Sequence, residues 1–276
     1  MKKNINTKPV WKNIGIRGIT ALVLAGIVFL PIYFGGLYWA ILVSIFSARM
    51  IWEWVRMSNS NPELKGCFIP IMGVVLSCLF MAFESYNFVI ISVLLSTLLI
   101  GLERFNRNQI LWACFGFLYV CLPSIALIGL RGSEVGFFSE GFIKICYIIL
   151  IVVGADVGAY LGGSYFKGPK MSPVISPNKT WSGFICGLSL GIVMGGVTGY
   201  FANMDLLFSL TFAIPVVLFS IVGDLFESGV KRIQKVKDTG ELLPGHGGLL
   251  DRLDSLMFAV LGSVIILYFA PDSWPI

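Results

Sequence analysis

The chain contains 276 residues, of which 57% are hydrophobic and only 13% are charged, and its mean hydropathy is +0.86. This composition excludes an ordinary soluble domain and is typical of a polytopic membrane protein. A net charge of +5 would elsewhere suggest nucleic acid, but the basic residues lie between apolar runs, where membrane topology explains them. We therefore expect a membrane environment and no nucleic-acid partner.

Nine apolar stretches predict an all-α fold of about nine transmembrane helices. A basic segment precedes the first stretch, as in a signal peptide, but no small-residue cleavage site follows it, so we expect a retained helix. Gly35 and Gly36 separate the first two helices, because one helix over 18–52 would be about 52 Å long, too long for a single span. The stretches cover residues 19–34, 37–54, 68–83, 86–102, 110–130, 142–163, 183–202, 206–223 and 255–270.

Lysine and arginine are distributed unevenly between the loops of this topology. With a cytoplasmic N-terminus, 18 of the 20 basic residues lie on the cytoplasmic side, and only Arg131 and Lys144 lie on the other. This asymmetry satisfies the positive-inside rule. Because the polar chemistry lies in the second half, we predict an N-terminal transmembrane scaffold of about five helices and a C-terminal catalytic region with two cytoplasmic loops. The scaffold covers 1–140, the catalytic region 141–276, and the loops 164–182 and 224–254.

The six cysteines contain no C-x-x-C pair and lie inside or beside apolar runs. Neither a disulfide framework nor a zinc site is therefore indicated. We expect them to be buried free thiols.

Two candidate binding elements precede the longest polar loop. Asp156 is a carboxylate inside an apolar run, which marks a functional or ion-paired position in a membrane helix. Further along the chain, Ser176, Lys179 and Thr180 lie just before the seventh apolar stretch, where free N–H groups and the helix dipole favour phosphate. The structural alternative for Asp156 is a buried ion pair with a lysine from another helix. The alternative for a lysine in this loop is that it only satisfies the positive-inside rule.

The segment over 228–254, called here the signature segment, concentrates charged residues and glycine between two apolar runs. Asp251 and Asp254 have i, i+3 spacing, so a helix would place both on one face. Asp224 ends the preceding apolar run, and carboxylates at facing helix ends suit Mg²⁺, which is usually held by one or two carboxylates plus substrate phosphates. Helix capping and local salt bridges are the structural alternative.

The signature segment also contains a proline- and glycine-rich loop over 244–248. Gly247 and Gly248 let backbone N–H groups approach a ligand closely, which suits phosphate. His246, the single histidine of the chain, has little packing to serve there. We therefore predict that it contacts substrate, although a lone histidine is more often a structural hydrogen-bonding residue.

The signature segment resembles the signature of the phosphatidate cytidylyltransferase family, also called CDP-diacylglycerol synthases. The matching positions are Ser228, Lys231, Arg232, Lys237, Asp238, Gly240, Leu243, Pro244, His246, Gly247, Gly248, Leu249, Asp251, Arg252 and Asp254. Two upstream motifs resemble the family through Asp156, Gly158, Ala159, Tyr160 and Gly163, and through Ser172, Pro173, Ser176, Pro177, Lys179, Thr180, Trp181 and Gly183. Val157, Ser164 and Ser182 depart from the family pattern, so no role is assigned to them.

The resemblance implies that CTP and phosphatidic acid react to give CDP-diacylglycerol and pyrophosphate in phospholipid biosynthesis. It further implies a bacterial inner membrane with the active site facing the cytoplasm, a Mg²⁺ cofactor with a second cation beside it, and a homodimer. The metal ligands would be Asp224, Asp251 and Asp254. Catalytic roles would fall on Asp224, Asp251, Lys231 and Arg232. Substrate binding would fall on Asp156, Ser176, Lys179, Thr180, Ser228, Lys237, Asp238, His246, Gly247, Gly248 and Arg252.

Other functions remain open. An ion-coupled transporter or channel would use Asp156 and Asp224 as intramembrane carboxylates, although no internal repeat is visible and the charges concentrate in the loops. A different CTP-dependent enzyme, such as a polyprenol kinase or a relative that cytidylylates another lipid phosphate, would share the phosphate chemistry. A structural scaffold is least favoured, because it would not require these loops.

Overall fold

The computed structural model describes residues 26–58, 64–105, 110–240, 242, 247–269 and 274. These residues are mostly helical. The helices are α1 over 26–34, α2 (Gly36–Ser58), α3 (Leu64–Ala82), α4 (Tyr86–Arg104), α5 (Ile110–Arg131), α6 (Glu140–Phe166), α7 (Trp181–Phe201), α8 (Leu206–Ile233) and α9 (Leu250–Phe269). An antiparallel hairpin of β1 (Lys170–Ser172) and β2 (Ser176–Thr180) connects α6 to α7.

The structure confirms the predicted all-α membrane fold, with a helix at each predicted position within the described residues. The helices from α4 to α9, six in number, are long and apolar enough to cross a membrane. In α3 the apolar part is shorter and covers Gly66–Ala82, so nine complete spans and a cytoplasmic N-terminus stay predictions. The predicted break between α1 and α2 is present, since Gly35 and Gly36 have φ of +64° and +47°, which glycine adopts without a Cβ clash.

The polar loops are shorter than the sequence predicts, because the helices continue into them. α8 continues through Asp224 to its end at Ile233, and α9 begins at Leu250, so helix covers both ends of the predicted loop over 224–254. With 28 residues, α8 is about 42 Å long at 1.5 Å per residue, whereas the hydrocarbon core is about 30 Å thick. α8 is therefore long enough to cross the apolar layer with its polar last turns outside it.

Three helices begin at a side chain that caps them. Ser139, Thr180 and Asp205 each accept a hydrogen bond from a backbone N–H in the first turn of α6, α7 and α8, respectively. Such a cap satisfies an N–H group that has no partner within the helix and contributes about 1 kcal/mol. The hydroxyl of Thr180, predicted to bind substrate phosphate, thus serves as a helix cap in this structure.

Buried apolar side chains form two clusters that share α9. One cluster lies mainly among α1 to α5, and the other lies mainly among α6 and α8. Leu250 at the start of α9 is fully buried, Asp251 lies in the first turn, and Asp254 follows three residues later. The core therefore holds these two carboxylates on an anchored helix rather than on a free loop.

Glycines bring α6 and α7 into close contact. On α7, buried glycines recur at every fourth residue from Gly183 to Gly199, the small-residue spacing typical of tightly packed membrane helices. A Cβ on Gly158 of α6 would lie only 2.6 Å from the carbonyl oxygen of Cys186. The contact fixes α6 against the start of α7, where the hairpin ends.

We expect Gly158→Ala to destabilise the protein by about 1–3 kcal/mol, because the added methyl group meets backbone that cannot rotate aside. Gly101→Ala in α4 is the matched control, since its Cβ would lie 3.8 Å from Sγ of Cys114, an ordinary contact. The midpoint of thermal unfolding in detergent should fall for the first variant and stay level or rise for the second. Equal midpoints would contradict this account of the helix contact.

Candidate active site

A cavity of about 660 Å³ lies where α6, the hairpin, α7, α8 and α9 meet, a size suited to a small-molecule ligand. It brings together residues from all three motifs that the sequence singled out. Two polar residues of the wall, Asn178 and Ser255, were not predicted. The predicted residues in the wall are Asp156, Ser176, Lys179, Thr180, Asp224, Asp251, Arg252 and Asp254.

Lys179 of the hairpin and Asp224 of α8 form an ion pair at the cavity wall. Nζ of the lysine lies 2.7 Å from Oδ2 of the aspartate, and the hydroxyl of Ser228 donates to Oδ1 at 3.5 Å. The Asp224 side chain is 38% exposed, so its oxygens remain open to the cavity. The carboxylate of Asp224 is thus accessible to a metal ion from the cavity, whereas Nζ of Lys179 is buried beside it.

Asp251 of α9 accepts hydrogen bonds on both of its oxygens. Nζ of Lys231 donates to Oδ1 at 2.8 Å. The N–H groups of Thr239 and Gly248 each donate to Oδ2 at 2.9 Å, and the threonine hydroxyl donates at 3.0 Å. Since a carboxylate has about four lone-pair sites, Oδ1 keeps one for a ligand in the cavity. Gly247 has φ of +87° beside it, and a Cβ there would lie 3.0 Å from Oδ2.

Two carboxylates are buried next to these groups. Glu227 is fully buried and Asp254 is 6% exposed. Nζ of Lys231 lies 2.7 Å from Oε2 of Glu227 while it also contacts Asp251, so one ammonium group offsets the repulsion between neighbouring carboxylates. Glu227 was not predicted from the sequence, although a carboxylate three residues after Asp224 in an apolar run is a recognisable signal.

Other predicted residues lie away from the cavity wall. Arg232 is exposed, and its Nε donates to the carbonyl oxygen of Ile175 at 3.2 Å, which ties α8 to the hairpin turn. Lys237 and Asp238 are exposed in the segment after α8. His246 lies outside the described residues, so its substrate contact stays a prediction.

A second missed carboxylate comes from the N-terminal half. Glu53 of α2 is 1% exposed and accepts hydrogen bonds from the backbone N–H groups of Leu249 and Leu250, at 3.1 and 2.9 Å. Its position in an apolar run signals a buried acid that requires a partner. The partner is 196 residues away, so the sequence alone does not name it. The predicted scaffold thus contacts the signature segment directly.

The cavity offers the oxygen ligands that Mg²⁺ prefers. Across the described ranges, no three His, Cys, Asp or Glu side chains form a preformed metal site. Mg²⁺ does not require one, because it is usually held by one or two carboxylates together with substrate phosphates and water. Asp224, Asp251 and Asp254 contribute to one cavity wall, and this donor set fits an ion whose other ligands come from a nucleotide.

The sequence matches the model of the cytidylyltransferase family over residues 15–270, which include every residue of the cavity wall. It is 32% identical over 263 residues to the phosphatidate cytidylyltransferase of Helicobacter pylori strain J99, covering 92% of this chain and 91% of that protein. It is 36% identical over 257 residues to the phosphatidate cytidylyltransferase of Staphylococcus aureus strain COL, covering 89% and 95%. The same-named protein of Brucella suis biovar 1 is 33% identical over 257 residues, covering 90% of both chains.

Proposed function

Because the chain belongs to the cytidylyltransferase family and is therefore a nucleotidyltransferase, we propose that it transfers the cytidylyl group of CTP to phosphatidate. The products would be CDP-diacylglycerol and pyrophosphate. The observation that carries this proposal is the cavity in which the carboxylates of Asp224, Asp251 and Asp254 adjoin the cations Lys179 and Arg252. A triphosphate and a lipid phosphate require this combination of a metal site and cationic phosphate-binding groups.

In the proposed reaction, a phosphate oxygen of phosphatidate attacks the α-phosphorus of CTP in line. A new P–O–P linkage forms, the bond from the α-phosphorus to the oxygen that bridges to the β-phosphorus breaks, and pyrophosphate leaves with the electron pair. The attacking oxygen is already an anion near neutral pH, so no general base is required. The protein mainly positions two anionic substrates and offsets their charge.

Each side chain of the wall has a role suited to this task. Lys179 and Arg252 would bind phosphate oxygens, the arginine through two of its N–H groups at once. Ser176 would donate a hydrogen bond to the same groups, and Asp156 would face the nucleotide from α6. Lys231 would act by holding Asp251, since its ammonium group already contacts that carboxylate.

We propose that Asp224, Asp251 and Asp254 hold Mg²⁺. The bound ion would neutralise charge on the nucleotide phosphates and on the leaving pyrophosphate. Asp251 would keep its orientation through its hydrogen bonds with Lys231 and the backbone. Lys179, whose ammonium group contacts Asp224 in this structure, would then be able to bind a phosphate oxygen. A second cation stays a prediction of the family resemblance.

The placement of the cavity also suits the substrates. A lipid with two acyl chains remains in the bilayer while its phosphate reaches the end of a helix bundle, where a water-soluble nucleotide arrives. We propose that this end faces the cytoplasm of a bacterial inner membrane, which the distribution of lysine and arginine supports. Activity as a homodimer is a further part of the proposal.

We expect the purified protein in detergent, given CTP, phosphatidate and Mg²⁺, to form CDP-diacylglycerol and an equal amount of pyrophosphate, both quantified by mass spectrometry. Chelation with EDTA should lower the rate by at least about 100-fold, and excess Mg²⁺ should restore it. An undiminished rate in EDTA would contradict the metal assignment. Transfer to another lipid but not to phosphatidate would favour a different CTP-dependent enzyme.

A further inference from the structure

Glu53 connects the predicted scaffold to the active site through a set of short contacts. Its Oε1 lies 3.2 Å from Nε of Arg49 and accepts the N–H of Leu249 at 3.1 Å. Its Oε2 accepts the N–H of Leu250 at 2.9 Å. The side chain is 1% exposed, so these protein groups provide its charge compensation.

The two N–H donors belong to the start of α9, where backbone N–H groups have no partner within the helix. A carboxylate there is stabilised by those N–H groups and by the helix dipole. Caps usually come from the residue next to the helix, whereas this one comes from α2. Glu53 therefore fixes the position of the first turn of α9 relative to α2, in addition to stabilising the helix.

The backbone closes tightly around this carboxylate. A Cβ on Gly240 would lie 2.9 Å from Oε1 of Glu53, and a Cβ on Gly248 would lie 2.7 Å from Oε2. Only glycine allows the chain to approach so closely. The close approach of the backbone to Glu53 thus explains why the signature segment has glycine at positions 240 and 248.

Thr239 extends the contact from Glu53 to Asp251. Its hydroxyl lies 3.3 Å from Oε2 of Glu53 and 3.0 Å from Oδ2 of Asp251, while its N–H donates to that same Oδ2 at 2.9 Å. A hydroxyl has one proton to donate, so the two carboxylates share it. The position of Asp251 therefore depends on Thr239 and on the turn that Glu53 holds.

We propose that Glu53 is a positioning residue for the transfer reaction, which sets the place of Asp251 through the first turn of α9 and through Thr239. This inference rests on the proposed function, in which Asp251 contacts the metal and the phosphates. Glu53 is outside the described cavity wall, so it acts through Asp251 and not on the substrates. A purely structural role would instead lower stability without changing the turnover of the folded protein.

Glu53→Gln keeps the shape of the side chain but replaces one acceptor oxygen with an NH₂ group, so one N–H of α9 loses its acceptor. We expect kcat of the folded variant to fall about 100-fold, as for a small misplacement of a reacting group, while KM for CTP changes less than about threefold, because Lys179 and Arg252 still bind the phosphates. Hydrogen exchange of the amides over 248–250 should become at least about tenfold faster.

The matched control is Arg104→Gln, which removes a buried charge from α4. Arg104 is 6% exposed, and its Nη2 donates to the carbonyl oxygen of Gly66 at 3.1 Å. This variant should lower the unfolding temperature but keep kcat within about twofold and leave exchange over 248–250 unchanged. A second test uses Thr239→Val, which should lower kcat about tenfold, beside Thr239→Ser, which keeps the hydroxyl and should match the wild type.

Wild-type kcat and wild-type exchange in Glu53→Gln would overturn the inference. If that variant does not fold, equal kcat in Thr239→Val and Thr239→Ser would overturn it in the same way. A folded wild-type protein that makes no product in the same assay would instead reject the proposed function, so the two failures are distinguishable.

Discussion

Asp251→Asn should lower the turnover of the purified protein by about 1,000-fold or more without unfolding it. Asparagine keeps one oxygen and gains an NH₂ group. In one orientation this group faces the ammonium of Lys231, and in the other it faces the N–H groups of Thr239 and Gly248. Either arrangement places donor against donor, and the cavity also loses a charge that the proposed metal requires. Measurements of kcat under saturating substrates and of the unfolding temperature test this expectation.

Asp205→Asn is the matched control for that substitution. Asp205 is exposed and caps α8 at the end opposite the cavity, where it accepts the N–H of Phe208 at 2.8 Å. Asparagine caps helices about as well as aspartate does, so activity and stability should both stay near wild type. If Asp251→Asn retained more than about a tenth of wild-type turnover, the assignment of Asp251 to the reaction would be contradicted.

Asp224→Asn and Lys179→Met should each lower kcat/KM by about 100-fold or more, because each removes a charge that faces substrate phosphate or metal. The first should also raise the Mg²⁺ concentration for half-maximal activity, and the second should raise KM for CTP. The two groups are 2.7 Å apart, so their effects should not be additive. We expect the double variant to be only slightly worse than the more damaging single variant.

The comparison for this pair is the ion pair between Glu140 and Lys144 near the start of α6, whereas Asp156 lies in the second half of that helix. Glu140→Gln and Lys144→Met should leave kcat/KM near wild type, because this pair is outside the cavity wall. Strictly additive losses for Asp224→Asn and Lys179→Met would show that the two residues do not act as one unit.

Hydropathy predicted the helices well because membrane helices must satisfy their backbone hydrogen bonds internally and expose apolar side chains. The ends of the helices were less predictable. Polar residues such as Asp224 and Lys231 suggested a loop, but α8 continues through them to Ile233, since polar side chains are compatible with helix outside the apolar layer. The hairpin over 170–180 carried no strand periodicity that would have indicated it.

The candidate site was predictable where its residues lie in continuous motifs. Asp156, Lys179 and Asp251 belong to three separate motifs, and the structure places them with Asp224 in one cavity wall. Glu53 was not predictable, because its contact with α9 depends on the packing of α2 against a segment 196 residues away. The local sequence pattern indicates which residues are chemically unusual, but only the folded structure shows which of these residues are in contact.

The most direct test of cytidylyl transfer is to supply the purified protein with phosphatidate, Mg²⁺ and CTP that carries radioactive phosphorus at either the α or the γ position. Our account predicts that the α label enters chloroform-soluble lipid and that the γ label leaves as pyrophosphate. Entry of the γ label into lipid, with the α label left in CDP, would contradict it and identify a kinase. Failure of both labels to enter any lipid would reject the transfer reaction itself.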